Sequence, residues 1–331
     1  KKILLIQPIQ IEEEKIDIRI ALNKRYYMYP PYGLGILNTV VKNANYKSDI
    51  LDLNFEVFKI IHHEKNINSD ELSKKWKKIL QKKLHDYKPD IVGVSCTFTM
   101  NHKNMMDVFQ EVKNFDDEII TIAGGVHVSN ATELVLKEGK NINFASTYES
   151  EVSFVDFINF INNKSGNLSQ IAFIHNDKFY EVKTRKTPEG EHINVIPSYG
   201  DLALDELTNL GEIGTFRYWR PENSKGSAVL ANKGCRARCS FCSVRNFNGK
   251  GVRQKSTQTV IDEIKGLYEN YGINHITWLD DDLFYDVNRT LDLFNKIVKE
   301  NLKITWDASN GLIASAAVAH PELIDAAEKS G

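Results

Sequence analysis

Residues 228–243 read AVLANKGCRARCSFCS, an apolar run that leads into a loop with three cysteines. The apolar residues Ala228–Ala231 predict a buried strand. The three cysteines lie within eight residues, at Cys235, Cys239 and Cys242. The fourth cysteine of the chain, Cys96, stands alone. A disulfide framework distributes its cysteines to close loops, so this clustering indicates a metal site in a reducing compartment.

The choice of metal follows from the number of ligands. Thiolates bind both zinc and iron–sulfur clusters. A closed zinc site needs four protein ligands, and the next histidine, His275, has no neighbour with ligand spacing. Three cysteines on one loop suit a [4Fe-4S] cluster, because they hold three irons and leave the fourth open. We therefore expect Cys235, Cys239 and Cys242 to be metal ligands.

Strand and helix patterns alternate after the cysteine loop. The apolar runs His275–Leu279 and Ile304–Asp307 predict two further strands, and each of the three predicted strands is followed by polar residues. Such units build (β/α) barrels, which need about 250 residues. Only 96 residues follow Cys235 (331 − 235). Residues 227–331 are thus expected to form the N-terminal part of a barrel, and we expect the sequence to be a fragment.

The first 164 residues predict a different α/β domain, a doubly wound parallel sheet wrapped by helices. Its five predicted strands are Ile3–Gln7, Asp49–Leu53, Ile91–Ser95, Ile119–Ala123 and Ile142–Ala145. Residues 165–226 are expected to be a connector, with a β-hairpin formed by Ile171–Ile174 and Phe179–Lys183.

Residues 233–244, KGCRARCSFCSV, resemble the signature of the radical S-adenosylmethionine (SAM) superfamily, including the aromatic Phe241 before the last cysteine. Residues 246–253, NFNGKGVR, and residues 29–35, YPPYGLG, are similar to the subgroup that carries an N-terminal cobalamin-binding domain. The resemblance implies that SAM chelates the open iron. It also implies that the backbone beside Phe241 lies near the adenine of SAM.

Further SAM contacts are implied after the second and third barrel strands. The resemblance implies that Asp281 or Asp282, in the Asp280–Asp282 triplet, accepts a hydrogen bond from the SAM ammonium. The alternative is a helix N-cap. Asn310 is expected to contact the ribose or, alternatively, to be a turn residue before Gly311. Basic residues near the loop form a solvated face, compensate the charge of the cluster or bind an anionic substrate: Arg236, Arg238, Arg245, Lys250, Arg253 and Lys255.

The N-terminal domain is expected to hold the lower nucleotide tail of cobalamin. Ser95, Thr97, Gly124 and Gly125 resemble the contacts with that tail, because a hydroxyl can bond it and glycine permits close approach. The Asp-x-His-x-x-Gly motif of many cobalamin proteins is absent, so no imidazole is expected on cobalt from the first loop. His102, His127 and Cys96 are expected to be structural. Four tyrosines are expected either to cap the corrin or to pack in the core: Tyr26, Tyr27, Tyr29 and Tyr32.

The resemblance implies a cobalamin-dependent radical SAM enzyme that cleaves SAM reductively and methylates an unactivated carbon. A radical SAM cyclase or rearrangement enzyme and a non-catalytic corrinoid-binding module are the alternatives. We expect a small-molecule or natural-product-type substrate and an electron donor such as flavodoxin or ferredoxin. The net charge of −2 does not favour nucleic acid, and no apolar run reaches the ~18 residues of a membrane span. We expect a cytoplasmic protein.

Overall fold

The computed structural model describes residues 1–163, 165–214 and 224–331. These residues divide into two compact units. The first unit comprises Lys1–Arg25, Gly33–Pro188 and Pro197–Leu202. The second comprises Tyr26–Tyr32, Glu189–Ile196 and Ala203–Gly331. Within the described ranges, no helix has the length and apolar character needed to cross a membrane.

The first unit contains a seven-stranded sheet in the order β2-β1-β3-β4-β5-β6-β7. The first five strands run parallel, and β6 and β7 are added antiparallel. Ile3 to Ile6 in β1 and Ile91, Val92 and Val94 in β3 are almost fully buried, as expected of central strands that helices cover on both faces. The strands are β1 (Lys2–Gln7), β2 (Lys47–Asp52), β3 (Ile91–Ser95), β4 (Ile120–Gly124), β5 (Phe144–Ser146), β6 (Ile171–His175) and β7 (Lys178–Glu181).

Helices connect the strands of this sheet from β1 to β6. They are α1 (Ile18–Leu22), α2 (Tyr32–Asn43), α3 (Leu53–His63), α4 (Ser69–Tyr87), α5 (His102–Phe115), α6 (Val126–Asn130), α7 (Thr132–Glu138) and α8 (Ser153–Ile161). The helix α4 shows why the sequence sets these bounds. The Asn68 side chain accepts a hydrogen bond from the Glu71 N–H at its start, and Lys88 ends it in the left-handed conformation. The predicted parallel α/β fold is confirmed.

The predicted hairpin is present, but it is part of the first sheet and does not lie in a separate connector. The strand β6 pairs with the open edge of β5, with Ala172 opposite Ala145, so the hairpin extends the first sheet. An unpaired edge has free N–H and C=O groups, and β6 satisfies them on that side. Residues 26–32 also differ from the expected boundary, because they pack with the second unit.

The second unit contains a three-stranded parallel sheet in the order β12-β11-β8 and a two-stranded antiparallel sheet, β10-β9. The strands are β8 (Gly226–Val229), β9 (Asn232–Cys235), β10 (Gly251–Gln254), β11 (His275–Trp278) and β12 (Thr305–Asp307). The helices are α9 (Leu204–Leu210), α10 (Val244–Asn248), α11 (Thr257–Tyr271), α12 (Val287–Lys299), α13 (Ala314–Ala319) and α14 (Glu322–Ser330). The three predicted barrel strands are all present as a parallel sheet.

Candidate cofactor sites

The β9–β10 ladder closes the base of the cysteine loop. Cys235 is the last residue of β9 and pairs with Gly251 of β10. Cys239 and Cys242 lie on the exposed part of the loop, where the Cys242 N–H donates to the Cys239 carbonyl at 3.2 Å. The Phe241 side chain is 91% exposed. The loop therefore presents two thiols and an aromatic ring outward from a fixed base.

The donor set of this loop fits an iron–sulfur cluster. Among the described residues, no group of three Cys, His, Asp or Glu side chains is close enough to hold a metal ion, so binding would draw the three thiolates together. His275 does not supply a fourth zinc ligand, because its ring nitrogens contact Thr305 and Asp307 at 2.8 and 2.9 Å. Burial raises the pKa of Cys235, whereas the Ala237 N–H, which donates to its Sγ at 3.4 Å, lowers it.

The three consecutive aspartates after β11 have three different environments. Asp280 is buried, and its carboxylate accepts hydrogen bonds from the backbone N–H groups of Ala231 and Asn232 at 2.9 and 2.7 Å. Burial raises the pKa of Asp280 to about 7. Asp280 thus fixes the turn between β8 and β9, which carries the chain into the cysteine loop.

The resemblance implies that either Asp281 or Asp282 accepts a hydrogen bond from the SAM ammonium. The structure gives the two carboxylates different contacts. The Asp282 carboxylate is bound by the Arg236 guanidinium at 2.6 and 2.9 Å. Asp281 is half-buried, and its carboxylate has no hydrogen-bond partner among the residues described. Burial raises the pKa of Asp281, and the neighbouring Asp282 raises it further. Asp281 is therefore the carboxylate of the pair that is available to a ligand.

Asn310 is exposed and joins the ends of two barrel strands. Its Nδ2 donates to the carbonyl of Leu279, just beyond β11, at 2.8 Å. Gly311 follows in the left-handed region, with φ of +97°. The structure therefore shows Asn310 in its alternative role as a turn residue, and the ribose contact stays a prediction.

The basic residues near the loop do not form one solvated face. Lys255 is buried, and its Nζ contacts Glu263 Oε2 at 2.9 Å and the Tyr32 hydroxyl at 2.8 Å. Arg245 and Arg253 donate to backbone carbonyls of the same segment. Arg238 and Lys250 are exposed. The expectation that Lys255 belongs to a surface charge run is wrong, because this side chain is part of a buried ion pair.

Two of the tyrosines considered as corrin caps have structural contacts in the second unit. The Tyr32 hydroxyl donates to Glu263 Oε1 at 2.9 Å, and burial raises the Tyr32 pKa well above its usual range. The Tyr29 hydroxyl accepts the N–H of Gly214 at 3.1 Å. Tyr27 is 54% exposed, and its ring centre lies 6.1 Å from that of Tyr29. Core packing accounts for Tyr32.

The first unit brings together the four residues expected to contact the cobalamin tail. Ser95 and Gly124 are register partners at the ends of β3 and β4, and Thr97 is exposed just beyond. The hydroxyls of Ser95 and Thr97 have no hydrogen-bond partner in the described ranges. A Cβ at Gly124 would meet only the Ser146 carbonyl, at 3.8 Å. Open space and free hydroxyls at this edge fit a polar ligand.

Gly125 has a different role from Gly124. Its φ is +104°, and a Cβ there would lie 2.5 Å from the carbonyl oxygen of Cys96. The loops after β3 and β4 are tied at this point, since the Cys96 N–H donates to the Gly124 carbonyl at 2.7 Å and the His127 N–H to the Cys96 carbonyl at 3.1 Å. Gly125 therefore permits the close approach that shapes the edge.

The two histidines near this edge form a hydrogen-bonded chain that sequence reasoning missed. His102 Nε2 lies 3.0 Å from Glu138, His102 Nδ1 lies 2.9 Å from His127 Nε2, and His127 Nδ1 lies 3.1 Å from the Thr99 hydroxyl. Burial lowers the pKa of His127, and His102 lowers it further. Both imidazoles are occupied, which agrees with their expected structural role.

A second polar cluster lies on one face of the barrel sheet. Asp307 Oδ2 contacts His275 Nε2 at 2.9 Å and the Thr277 hydroxyl at 3.2 Å. The other oxygen, Oδ1, is buried without a hydrogen-bond partner among the described residues. Alternation of polar His275 and Thr277 with apolar Ile276 and Trp278 is the pattern that predicts a polar face here.

Comparisons with known proteins define the class. The B12 binding domain family matches residues 18–158, and the Radical SAM superfamily matches residues 229–331. The chain therefore carries a B12-binding domain followed by a radical SAM domain.

Among curated relatives, the chain is 27% identical over 234 residues to "Uncharacterized methyltransferase PH0819" of Pyrococcus horikoshii, covering 70% of this chain and 48% of that protein. It is 24% identical over 307 residues to the cytidylyl-2-hydroxyethylphosphonate methyltransferase of Streptomyces wedmorensis, covering 85% and 56%. The chain thus spans about half the length of the curated relatives it matches.

The fold is also that of a solved structure, the radical SAM methyltransferase TsrM from Kitasatospora setae. The TM-score is 0.64 at 15% identity, covering 92% of this chain and 54% of that chain. That protein has been solved with tryptophan substrate and a SAM analogue, and with cobalamin and a [4Fe-4S] cluster. The order of the two predicted domains is confirmed by these matches.

Proposed function

We propose that this protein is a cobalamin-dependent radical SAM methyltransferase that methylates an unactivated carbon of a small molecule. The observation that supports this most is the cysteine loop, which presents Cys239 and Cys242 on a base that β9 and β10 close at Cys235. The methyltransferases among its relatives favour methylation over cyclisation or rearrangement.

The chain's own residues have separate tasks in this proposal. Cys235, Cys239 and Cys242 hold the cluster, and Asp281 accepts a hydrogen bond from the SAM ammonium. Phe241 and Asn310 lie along the adenosine. Ser95 and Thr97 would bond the cobalamin tail, and Gly124 would leave space for it. When bound, these groups supply the electron that cleaves SAM and the carrier for the methyl group.

The reaction needs an electron donor, because SAM cleavage is reductive. We propose flavodoxin or ferredoxin for this role, with no nucleic acid partner. The half-exposed tyrosine pair, Tyr27 and Tyr29, offers an aromatic surface to a substrate of natural-product type. With the cofactors bound, the substrate hydrogen would leave in 5′-deoxyadenosine, and the methyl group that replaces it would come from the cobalamin carrier.

The test is anaerobic reconstitution of the full-length protein with iron and sulfide, followed by SAM and dithionite. We expect about four irons per chain, broad absorbance near 400 nm and formation of 5′-deoxyadenosine. Replacing Cys235, Cys239 or Cys242 with Ala should abolish all three. The matched control is Cys96→Ala, which should keep its iron because Cys96 is buried in the first unit.

Two outcomes would contradict the proposal. If a variant with all three cysteines replaced retains its full iron content, these cysteines do not hold the cluster. A wild-type protein that retains hydroxocobalamin in equilibrium dialysis but makes no 5′-deoxyadenosine would be a corrinoid-binding module instead of an enzyme.

A further inference from the structure

Arg236, the residue after the first cluster cysteine, is bound to Asp282 in a two-point ion pair. Its Nε lies 2.6 Å from Oδ2 and its Nη2 lies 2.9 Å from Oδ1. The Arg236 backbone N–H also donates to Oδ2, at 3.3 Å. The Asp282 side chain is fully buried, whereas that of Arg236 is 38% exposed. Two parallel N–H···O bonds fix both position and direction, which a lysine cannot do.

The same guanidinium makes two more contacts with the segment after β11. Its Nη2 donates to the Phe284 carbonyl at 2.6 Å, and its carbon lies 5.2 Å from the centre of the Tyr285 ring. All of these contacts join the start of the cysteine loop to the segment that contains Asp281. Asp282 and Arg236 are thus the connection between the proposed cluster ligands and the proposed SAM carboxylate.

We infer that Arg236 and Asp282 are positioning residues, a clamp that orders the loop at Cys235 and keeps the charge beside the cluster balanced. The inference rests on the proposed function, because the cluster is part of it. Charges act strongly where water is excluded. A lone cation beside the cluster would favour its one-electron reduced form, and a lone anion would disfavour it. Together, the two charges hold the loop in place. They leave the reduction potential of the cluster close to the value expected if both side chains were uncharged.

The electrostatic part is tested by potentiometric titration of the reconstituted full-length protein, followed by electron paramagnetic resonance. We expect Asp282→Asn to raise the midpoint potential, because it leaves Arg236 uncompensated. We expect Arg236→Gln to lower it, because it removes the cation that the Asp282 carboxylate binds at two points. The double variant should return close to the wild-type potential. Potentials that do not change, or that shift in the same direction in both single variants, would overturn this part.

The ordering part is tested without iron, by hydrogen exchange of the full-length apo-protein. Asp282→Asn and Arg236→Gln should each speed exchange in residues 233–242 by about tenfold or more, because the loop opens locally once the clamp is broken. Arg236→Lys keeps the charge but not the two-point bond, so it should speed exchange and leave the potential unchanged. Asp262→Asn, at an exposed site on α11, is the matched control and should change neither.

The two measurements separate the inference from the function on which it rests. A wild-type protein that takes up no iron would contradict the proposed function, and exchange would still decide whether the clamp orders the loop. Unchanged exchange in both single variants would overturn the clamp even in a protein that assembles its cluster and cleaves SAM.

Discussion

The carboxylate of Asp280 lies 2.7 Å from the backbone nitrogen of Asn232, the first residue of β9. The contact joins the end of one barrel strand to the strand that leads into the cysteine loop. Asp280 is fully enclosed, with Arg289 as the cation that favours its ionised form, and burial still raises its pKa to about 7. The contact that fixes the turn between β8 and β9 is therefore sensitive to pH.

We predict that Asp280 makes the second unit less stable as the pH rises. The unfolded carboxyl titrates near pH 4 and the folded one near 7, so the folded state binds the extra proton between these values. The contribution of Asp280 is fully present below about pH 4, declines up to about pH 7 and is lost above it, a change of a few kcal/mol. Chemical denaturation from pH 4 to 8 measures it.

Asp280→Asn should remove this slope, although it also lowers stability at every pH because an amide accepts through one oxygen only. Asp262→Asn is the matched control, because it makes the same substitution at an exposed site on α11. A wild-type slope that persists in Asp280→Asn would show that another group is responsible.

The three aspartates at 280–282 show which features of the site can be predicted from the sequence and which cannot. The pattern predicts that polar residues follow β11, and the family resemblance directs attention to SAM. It cannot assign the three carboxylates, because their partners are far away in the chain: Asp280 is bonded to Asn232 and Asp282 to Arg236, 48 and 46 residues earlier. Only the fold brings those partners into place and leaves Asp281 available.

Strands were predictable to the extent that they are buried. The apolar runs of β1, β3 and β4 indicate central strands, and the structure has them within one or two residues of the predicted bounds. The β9–β10 hairpin was missed because its sequences, NKGC and GVRQ, are polar and lie on either side of the cysteine loop. The pairing of Cys235 with Gly251 is a tertiary contact without a local pattern.

The buried ion pair of Lys255 and Glu263 predicts that the free energy of unfolding depends strongly on both side chains. Their side chains are 2% and 0% exposed, and the Tyr32 hydroxyl bonds both. Lys255→Met should reduce the free energy of unfolding by about 3–5 kcal/mol, because it removes one partner of a buried ion pair. The double variant Lys255→Met with Glu263→Leu should lose much less.

Chemical denaturation of the four proteins of this cycle gives the coupling between the two residues. Tyr32→Phe is a useful companion, with an expected loss of about 1 kcal/mol from the missing hydroxyl. Additive losses in the double variant would mean that the two charges do not stabilise each other.

The glycine pair after β4 predicts two separable effects. Gly125→Ala should lower stability by about 1–3 kcal/mol, because the residue is held at a positive φ and its Cβ would overlap the Cys96 carbonyl. Gly124→Ala should leave stability unchanged, since its Cβ would meet only an atom 3.8 Å away. Thermal unfolding of both variants checks this contrast.

Gly124 should matter for the ligand instead. Gly124→Val should weaken retention of hydroxocobalamin in equilibrium dialysis, because the side chain would fill the space beside Ser95. If cobalamin retention is unaffected in a stably folded Gly124→Val protein, the tail does not approach over this glycine.

The last prediction separates the two acidic candidates for SAM. Asp281 is half-buried with no hydrogen-bond partner in the described chain, so its carboxylate can bond an ammonium, whereas Asp282 is bound by Arg236. Charge-assisted hydrogen bonds contribute about 1.5–3 kcal/mol, so Asp281→Asn should weaken SAM binding by roughly 10- to 100-fold. Equilibrium dialysis of labelled SAM with the reconstituted protein measures this, and iron content shows that the cluster site is intact. Asp262→Asn should bind SAM as the wild type does. If Asp281→Asn binds SAM normally while its iron content is full, another group holds the ammonium, and the carboxylate at 281 has a different ligand.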